Sequence, residues 1–265
     1  MSPPAVLRLA IVSTPRSGNT WLRCMLNSMY DFDAVAGNFA VHTPGDLPWD
    51  RLPARSVVQL HWQREPAFLN LLAQHEMRVV VLARHPLDVL ISILHYARHE
   101  PDTSRWLDGA EGDEASILDA SPRSESFLRF ATGPRVRALL NVSRGWWNDP
   151  ASLKVRYEDL VRETVATLDR LRSKIGVEPV RTATEARSTC SFENLRSQNK
   201  THHFWQGSPG HWRRFLTAAE AQAIAAAHPE CFAELGYAAD FDPTLNAADA
   251  EANWRRVERP RRRAV

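Results

Sequence analysis

The sequence predicts an α/β fold in which a central parallel sheet is flanked by helices. Segments 7–12 and 78–83 are continuous apolar runs, which are typical of parallel strands buried on both faces. Two shorter strand-like segments, 56–60 and 153–157, alternate along the chain with segments of helical periodicity. Because this alternation builds sheets covered by helices, and 265 residues can bury a substantial core, we expect one domain over residues 1–240.

The segments between the strands predict helices and loops in a regular order. Apolar residues recur at helical spacing after the first strand, from Trp21 to Met29. Residues 31–55 are rich in Gly, Pro and Asp and predict a loop, and residues 99–126 predict a long insertion of the kind that often forms a lid. Further helices are predicted at 66–75, 86–98, 134–147, 164–175, 182–188, 192–196, 218–228 and 229–235.

Charge is distributed unevenly along the chain. The net charge is +2, but residues 251–265 contain six arginines and two glutamates, so this end carries +4 and the remainder −2. The folded part is therefore not broadly basic, and we expect no nucleic acid as a partner. Residues 241–265 are polar and predict a flexible, Arg-rich tail.

Three features predict a soluble protein of the cytoplasm. No apolar run approaches the roughly 20 residues that a membrane-spanning helix needs. Residues 1–5 lack a basic segment followed by an apolar core, so we expect no signal peptide. The cysteines Cys24, Cys190 and Cys231 are few and far apart, which favours packed thiols in a reducing compartment over disulfides or a zinc site.

The loop between the first strand and the first helix has the features of an anion-binding loop. Residues 13–21 read Ser-Thr-Pro-Arg-Ser-Gly-Asn-Thr-Trp. A loop that opens a helix directs backbone N–H groups and the positive end of the helix dipole at its occupant. Gly18 permits close approach of the backbone, Arg16 supplies charge, and three side chains supply donors: Ser17, Asn19 and Thr20. A phosphate or sulfate suits this loop, although the loop alone would also fit an ordinary strand-to-helix turn.

The loop differs from the ATP-type phosphate loop, which needs an earlier glycine and a lysine after the second glycine. It resembles the 5′-phosphosulfate loop of sulfotransferases that use 3′-phosphoadenosine 5′-phosphosulfate (PAPS), which reads approximately Thr-Tyr-Pro-Lys-Ser-Gly-Thr-Thr-Trp. The chain keeps Pro15, the Ser-Gly pair and the Thr-Trp pair, and it has Arg16 where cytosolic members usually carry lysine. The resemblance implies that this loop, with Trp21 at its end, binds the 5′ end of the donor.

A second motif lies at the end of another predicted strand, where ligands of such folds bind. The sequence Arg84-His85-Pro86-Leu87-Asp88-Val89-Leu90-Ile91-Ser92 resembles the family's 3′-phosphate motif, Arg-Asn-Pro-x-Asp-x-x-x-Ser. An arginine is well suited to phosphate because its fork of donors matches the phosphate oxygens. The resemblance implies that Arg84 and Ser92 hold the 3′-phosphate.

His61 follows the predicted strand 56–60 and occupies the place of the family's general base. Imidazole titrates near neutrality, so it can take the proton of an acceptor hydroxyl. The chain departs from the family at Gln59, where a lysine is common, and this places more of the charge stabilisation on Arg16.

Two weaker resemblances concern the adenosine. Tyr157-Glu158-Asp159-Leu160 is similar to a turn of the family whose tyrosine lies near the adenosine. The segment ending in Phe192 is similar to one whose aromatic ring packs on adenine, and Trp21 would face that ring, since flat apolar rings hold a base by stacking.

A last resemblance is partial. The family carries Arg-Lys-Gly-x-x-Gly-Asp-Trp near its C-terminal end, and segment 205–213 keeps Gly207, Gly210 and Trp212 but lacks the Arg-Lys pair. Gly207 still offers a backbone N–H to the donor. The lost charge has four candidate replacements: Arg196, Lys200, Arg213 and Arg214.

The residues and the resemblance together predict a PAPS-dependent sulfotransferase with a P-loop-like fold. The resemblance implies in-line transfer to an acceptor hydroxyl, with His61 as the base, Arg16 stabilising charge, 3′,5′-adenosine bisphosphate as product, and no metal. The acceptor is a small molecule, natural product or carbohydrate, and a homodimer stays open. Aromatic residues in or beside the long loops permit an apolar acceptor: Tyr30, Phe39, Trp49, Trp62, Trp106 and Phe127.

Two alternatives of different kinds stay open from the sequence. The first is a nucleotide kinase with a degenerate phosphate loop, which would need ATP and magnesium. The second is a non-catalytic module that binds PAPS or another nucleotide. Gln59 and the missing Arg-Lys pair are the features that keep this alternative open.

Overall fold

The computed structural model describes residues 6–36, 44–99, 114–198, 205 and 207–258. Five strands form one sheet in the order β2-β3-β1-β4-β5, and every neighbouring pair is parallel. The strands are β1 (Leu7–Val12), β2 (Ala34–Ala36), β3 (Arg55–Leu60), β4 (Arg78–Ala83) and β5 (Leu153–Arg156). The predicted parallel α/β architecture is confirmed.

Helices cover both faces of the sheet. Those in the described residues are α1 (Asn19–Tyr30), α2 (Pro66–Gln74), α3 (Pro86–Ala97), α4 (Glu125–Thr132), α5 (Pro134–Trp147), α6 (Tyr157–Arg162), α7 (Thr164–Ile175), α8 (Ala183–Thr189), α9 (Phe192–Gln198), α10 (Ala218–Ala227), α11 (Pro229–Leu235) and α12 (Ala247–Glu258). Short 3₁₀ turns lie at Pro44–Asp46, Trp49–Arg51, Glu114–Ile117 and His211–Arg214.

The burial of the central strand β1 explains why its sequence is apolar apart from Arg8 near its start. Leu9 and Ile11 belong to one buried cluster, together with residues of α1 and α7. Ala10 and Val12 belong to a second cluster, together with residues of α3 and α5. Because successive side chains of a strand point to opposite faces, both faces of β1 are covered, which requires apolar residues from Leu9 to Val12.

Three elements differ from the sequence-based expectations. The predicted loop 31–55 contains β2, a three-residue edge strand paired with β3 and too short to show a pattern. Helix α4 lies at the end of the predicted insertion 99–126 and is capped by Ser124, whose hydroxyl accepts the N–H of Phe127. The Glu-Asp-Leu turn after β5 is the short helix α6. Residues 100–113 lie outside the described residues.

The prediction of a flexible tail from residue 241 is wrong for residues 247–258, which form α12. Ala250 and Trp254 are four residues apart and therefore share one face of the helix, and both are buried. The Trp254 ring packs edge-on against Phe215 at 5.5 Å between ring centroids. A single buried tryptophan thus docks a segment whose composition is otherwise polar. Residues 259–265, with four of the six arginines, lie outside the described residues.

The expectation of free cysteines is wrong for one pair. Cys24 in α1 and Cys190 after α8 form a disulfide, whereas Cys231 is a free, buried thiol. The two bonded cysteines are 166 residues apart, and packing of α8 against α1 brings them together. Among the described residues, no helix has the length and apolar character needed to cross a membrane.

Candidate active site

A cleft opens at the carboxyl ends of β1, β3 and β4. Eleven of the twelve predicted site residues line it: Arg16, Gly18, Asn19, Thr20, Trp21, His61, Arg84, Ser92, Tyr157, Phe192 and Gly207. The twelfth, Ser17, is fully buried beneath the loop. Five further residues line the same cleft: Gln59, Asp88, Ile91, Trp205 and His211. The structure therefore brings the separate motifs to one place, and the roles of their residues stay predictions.

The loop after β1 is shaped to present its backbone to a ligand. Arg16 has φ +67° and Gly18 has φ +101°, so both adopt left-handed conformations. Such a conformation is rare for a residue other than glycine and is found mainly at functional sites. Helix α1 begins directly after Gly18, and no side chain caps its first turn. Gly18, Asn19 and Thr20 at this helix start line the cleft, an arrangement suited to an anion.

Two buried hydroxyls anchor this loop to the rest of the fold. The Oγ of Ser143 in α5 accepts the N–H of Thr14 at 2.8 Å and donates to the carbonyl of Leu82 at 2.9 Å. The Thr14 hydroxyl donates to the carbonyl of Leu139 at 2.8 Å. The loop is thereby tied to β4 and α5. The sequence analysis missed Ser143, since nothing in its local sequence distinguishes it from other helix serines.

The two arginines of the cleft are held in a network with its other residues. The Nε of Arg16 donates to the Ser92 hydroxyl at 3.1 Å, and its guanidinium lies 4.2 Å from the Tyr96 ring centroid. The Nη1 of Arg84 donates to the carbonyl of Arg16 at 2.9 Å, and its guanidinium stacks 4.4 Å from the Tyr157 ring centroid. The predicted 5′ and 3′ parts of the site are therefore joined by direct bonds.

His61 is oriented by the main chain of the loop. Its Nδ1 lies 2.8 Å from the carbonyl oxygen of Ser13. Because a carbonyl can only accept, Nδ1 carries the ring proton and Nε2 keeps a free lone pair. Burial lowers the pKa of His61 to about 4; the bond to Ser13 opposes this fall and the charge of Arg16 adds to it. At neutral pH the ring is uncharged and able to accept a proton at Nε2.

Three aromatic rings, those of Trp21, Tyr157 and Phe192, form one wall of the cleft. The Tyr157 hydroxyl donates to the carbonyl of Gly207 at 2.7 Å. Gly207 has φ +72° and lies flat on the Phe192 ring, where a Cβ would come within 2.8 Å of that ring. The indole N–H of Trp21 donates to the carbonyl of Cys190 at 2.8 Å. This wall offers flat apolar surfaces of the kind that pack against a nucleobase.

The C-terminal segment that carries Gly207 is clamped onto α3 by Asp88. One carboxylate oxygen of Asp88 accepts the N–H of Gly210 at 2.5 Å, and the other accepts the N–H of Trp212 at 3.1 Å. The residue between them, His211, faces the cleft. The clamp joins segments 122 and 124 residues apart, so the sequence could suggest Asp88 only through its motif.

The candidate replacements for the missing Arg-Lys pair are placed elsewhere. Arg213 forms an ion pair with Asp240 and covers the Trp212 ring. Arg214 is exposed and lies 5.8 Å from the Phe215 ring centroid. Arg196 is exposed on α9, and Lys200 lies outside the described residues. None of the three described arginines lines the cleft.

The aromatic residues suggested for the acceptor are mostly structural. Tyr30, Trp49 and Phe127 are buried in the core, and Trp62 packs against it. Phe39 and Trp106 lie outside the described residues. The apolar side chains in the cleft are instead Ile91 and Trp205, which the sequence analysis did not select. Within the described residues, no group of three or more His, Cys, Asp or Glu side chains is arranged to hold a metal ion.

The fold and the site define an α/β protein with a cleft at the carboxyl edge of a parallel sheet, beside the loop that joins β1 to α1. The chain belongs to the sulfotransferase domain family, whose model matches residues 8–236. Cytosolic sulfotransferase 14 of Arabidopsis thaliana is 26% identical over an alignment of 222 positions, which covers 71% of this chain and 60% of that protein. The chain thus spans about 60% of the length of this curated relative.

Two solved structures share the fold at low sequence identity. Mouse sulfotransferase SULT7A1 complexed with PAP has a TM-score of 0.61 at 18% identity, over 89% of this chain and 90% of that one. Retinol dehydratase in complex with androsterone and inactive cofactor PAP has a TM-score of 0.56 at 15% identity, over 92% of this chain and 83% of that one. The predicted P-loop-like sulfotransferase fold is confirmed.

Proposed function

We propose that this protein is a PAPS-dependent sulfotransferase that transfers a sulfuryl group to the hydroxyl of a small-molecule acceptor. The observation that carries the proposal is the position of His61. Its free Nε2 belongs to a neutral imidazole that lines the same cleft as the Arg16 loop and Arg84. Family membership supports the reaction class. Two solved structures of the same fold hold PAP, which is 3′,5′-adenosine bisphosphate, the product left when PAPS donates its sulfuryl group.

The residues present fit an anionic nucleotide donor. Three buried polar atoms of residues that line the cleft have no hydrogen-bond partner among the described residues: Gln59 Oε1, Arg84 Nε and His211 Nδ1. Buried polar atoms are normally paired, so unpaired ones beside a cleft indicate a polar ligand. The loop 13–21 would hold the 5′ end, Arg84 and Ser92 the 3′-phosphate, and the three aromatic rings the adenine. When bound, PAPS supplies a sulfuryl group already joined to a phosphate leaving group.

The proposed reaction is a single in-line displacement. His61 Nε2 takes the proton of the acceptor hydroxyl while the hydroxyl oxygen forms a bond to sulfur. The bond between sulfur and the phosphate oxygen breaks, and its electron pair stays on that oxygen. Arg16 and the N–H groups of the loop stabilise this charge. Because these groups are fixed before the reaction, their stabilisation costs little reorganisation. The products are a sulfate ester and 3′,5′-adenosine bisphosphate.

The acceptor side is proposed at a coarser level. Ile91 and Trp205 give the cleft an apolar surface, and the Trp205 ring is held in place by stacking on His95 at 4.1 Å between centroids. They favour an acceptor with an apolar or aromatic body, and a carbohydrate acceptor is the less favoured alternative. A cytoplasmic location, suggested by the name of the curated relative, and a homodimer belong to the proposal as well. Cell fractionation and sedimentation analysis test these two points.

The deciding experiment is transfer from sulfur-labelled PAPS to a panel of phenols, alcohols and sugars, with His61→Ala as the variant. We expect labelled ester with the wild type and a loss of about 10²- to 10⁴-fold in the variant, the usual contribution of a general base. Binding of 3′,5′-adenosine bisphosphate, measured by calorimetry, should stay within about twofold, since His61 faces the acceptor. Equal loss of transfer and binding would reject the role of His61.

The same measurements separate the alternative functions. Preference for ATP with magnesium over the bisphosphate would indicate a kinase. Binding of the bisphosphate without transfer to any acceptor would indicate a non-catalytic module.

A further inference from the structure

At the Arg84 end of the cleft, the lining residues that the structure describes carry one net positive charge. Arg84 and Asp88 cancel formally, and the remaining cation is Arg16, whose Nε donates to the Ser92 hydroxyl at 3.1 Å. One N–H of Arg84 donates to the carbonyl of Arg16. The Asp88 carboxylate accepts hydrogen bonds from two backbone N–H groups. A phosphate bearing nearly two negative charges binds well only where several donors and positive charge meet. One more cationic group at this end would complete the site.

His211 is the titratable side chain placed to supply that charge. It lies on the 3₁₀ turn His211–Arg214, and the Asp88 clamp holds the N–H groups of the residues on both sides of it. Gly210 before it has φ +81°, a conformation that favours glycine, and this turns the chain so that His211 lines the cleft. Its Nδ1 is buried and has no partner among the described residues. The position of His211 is therefore fixed while one ring nitrogen stays unused.

We propose that His211 is a donor-binding residue, whose imidazole becomes protonated as the nucleotide binds and donates a hydrogen bond to the phosphate held by Arg84. This inference rests on the proposed function, because it assumes that a 3′-phosphate occupies this end of the cleft. It assigns to one histidine the charge that the missing Arg-Lys pair leaves unfilled.

The electrostatic surroundings of the ring set the direction of the proton transfer. Burial lowers the pKa of His211, Asp88 from α3 opposes this, and Arg214 on the same turn and Arg84 before α3 add to it. Without ligand the ring is therefore uncharged at neutral pH. A phosphate beside the ring favours the charged form and raises its pKa, so binding takes up a proton. By linkage, affinity for the bisphosphate then falls as pH rises.

The test compares two ligands by titration calorimetry at about pH 6 and about pH 8, on either side of the usual imidazole pKa. The ligands are adenosine 3′,5′-bisphosphate and adenosine 5′-monophosphate, which differ only in the 3′-phosphate. Buffers of different ionisation enthalpy report the protons taken up. Comparing each variant with the wild type for the same ligand cancels the titration of the ligand's own phosphates.

We expect His211→Gln to lower bisphosphate affinity at least about tenfold at the lower pH, the effect of losing one charge-assisted hydrogen bond. The same variant should change monophosphate affinity less than about twofold and abolish proton uptake with the bisphosphate. His211→Arg should keep the affinity and lose its pH dependence. The matched control is Arg196→Gln, which removes a full charge from an exposed position on α9 outside the cleft and should leave both affinities within about twofold.

Each contrary result is informative. Equal weakening of both ligands by His211→Gln, or no weakening, would overturn the assignment of His211 while leaving the sulfotransferase proposal in place. If the wild type binds the two ligands with equal affinity, the 3′-phosphate is not bound at the Arg84 end of the cleft, and the inference is rejected. Failure of the wild type to bind either ligand would reject the proposed function together with it.

Discussion

Replacement of Gly18 by alanine should disable the donor loop through a measurable steric effect. Gly18 has φ +101°, and a Cβ at this position would lie 2.6 Å from Tyr157 Cδ2 and 2.8 Å from Tyr157 Cε2. Contacts this short do not occur in folded proteins, so the ring or the loop must move. Tyr157 cannot move alone, because its ring supports Arg84 and its hydroxyl binds the carbonyl of Gly207. The substitution therefore reaches the whole predicted donor site.

The structure contains a control that isolates the clash from the backbone effect. Gly176 at the end of α7 has φ +67°, and a Cβ there meets nothing within 4 Å. Gly176→Ala should cost about 1 kcal/mol, the left-handed penalty of about 1–2 kcal/mol less the gain from a stiffer unfolded chain. Gly18→Ala adds an overpacking cost of about 1–3 kcal/mol, for a total of about 2–4 kcal/mol.

Urea unfolding of both variants and calorimetric titration with 3′,5′-adenosine bisphosphate measure the two consequences. We expect Gly18→Ala to be the less stable variant by about 1–3 kcal/mol and to bind the bisphosphate more than about tenfold more weakly than the wild type. Gly176→Ala should bind like the wild type. If the two variants have the same free energy of unfolding and Gly18→Ala keeps its affinity, the close approach of loop and ring plays no part in the site.

Three further predictions concern the base, the disulfide and a buried ion pair. Because the pKa of His61 is lowered to about 4 and the proposed mechanism uses its neutral form, kcat/KM for the acceptor, measured at saturating PAPS, should be flat near neutrality and fall only as pH approaches 4; a fall centred near 6.5 would contradict this. Thiol titration of the unfolded, unreduced protein should find one free thiol, that of Cys231, and three thiols would disprove the Cys24–Cys190 disulfide. Cys24→Ser should lower the free energy of unfolding by up to about 5 kcal/mol, the chain-entropy limit for the long loop that this disulfide closes. Glu114→Gln removes the carboxylate that pairs with the buried guanidinium of Arg135 at 2.9 Å and should cost about 3–5 kcal/mol in urea unfolding, whereas Arg129→Ala, which breaks an exposed pair, should cost less than about 1 kcal/mol; equal losses for the two variants would contradict the reasoning from burial.

The main features of the fold could be predicted because local sequence patterns indicate them. The apolar runs of β1 and β4 reflect burial on both faces, and prolines mark the first turns of α2, α3, α5 and α11. Elements fixed by tertiary contacts could not be found in this way. β2 is too short to show alternation, and α12 is held by the burial of Trp254 in a segment that otherwise looks disordered.

The site divides along the same line. The Arg16 loop, His61 and Arg84 could be chosen because each lies directly after a predicted strand, and parallel strands end at one edge. The hydrogen bonds that hold these residues in place join distant segments of the chain, and no local sequence pattern predicts such bonds. Ser143 and Asp88 are examples, because their partners are more than 120 residues away. His211 carried a weak signal, namely a titratable residue within a segment that had lost its usual basic pair.

The departure at Gln59 has two opposite electrostatic consequences for the base. Gln59 and His61 are two residues apart at the end of β3, and both side chains line the cleft. A lysine at position 59 would add charge stabilisation near the sulfuryl group, but it would also lower the pKa of the neighbouring imidazole further. The pKa of His61 is already depressed by burial and by Arg16, so a second cation would make a weak base weaker. Compared with a lysine at this position, the neutral Gln59 therefore stabilises the leaving group less in the proposed mechanism, but it does not lower the pKa of the His61 imidazole further. This balance is consistent with a cleft whose charge at the sulfur is assigned to the single guanidinium of Arg16 and to the N–H groups of its loop.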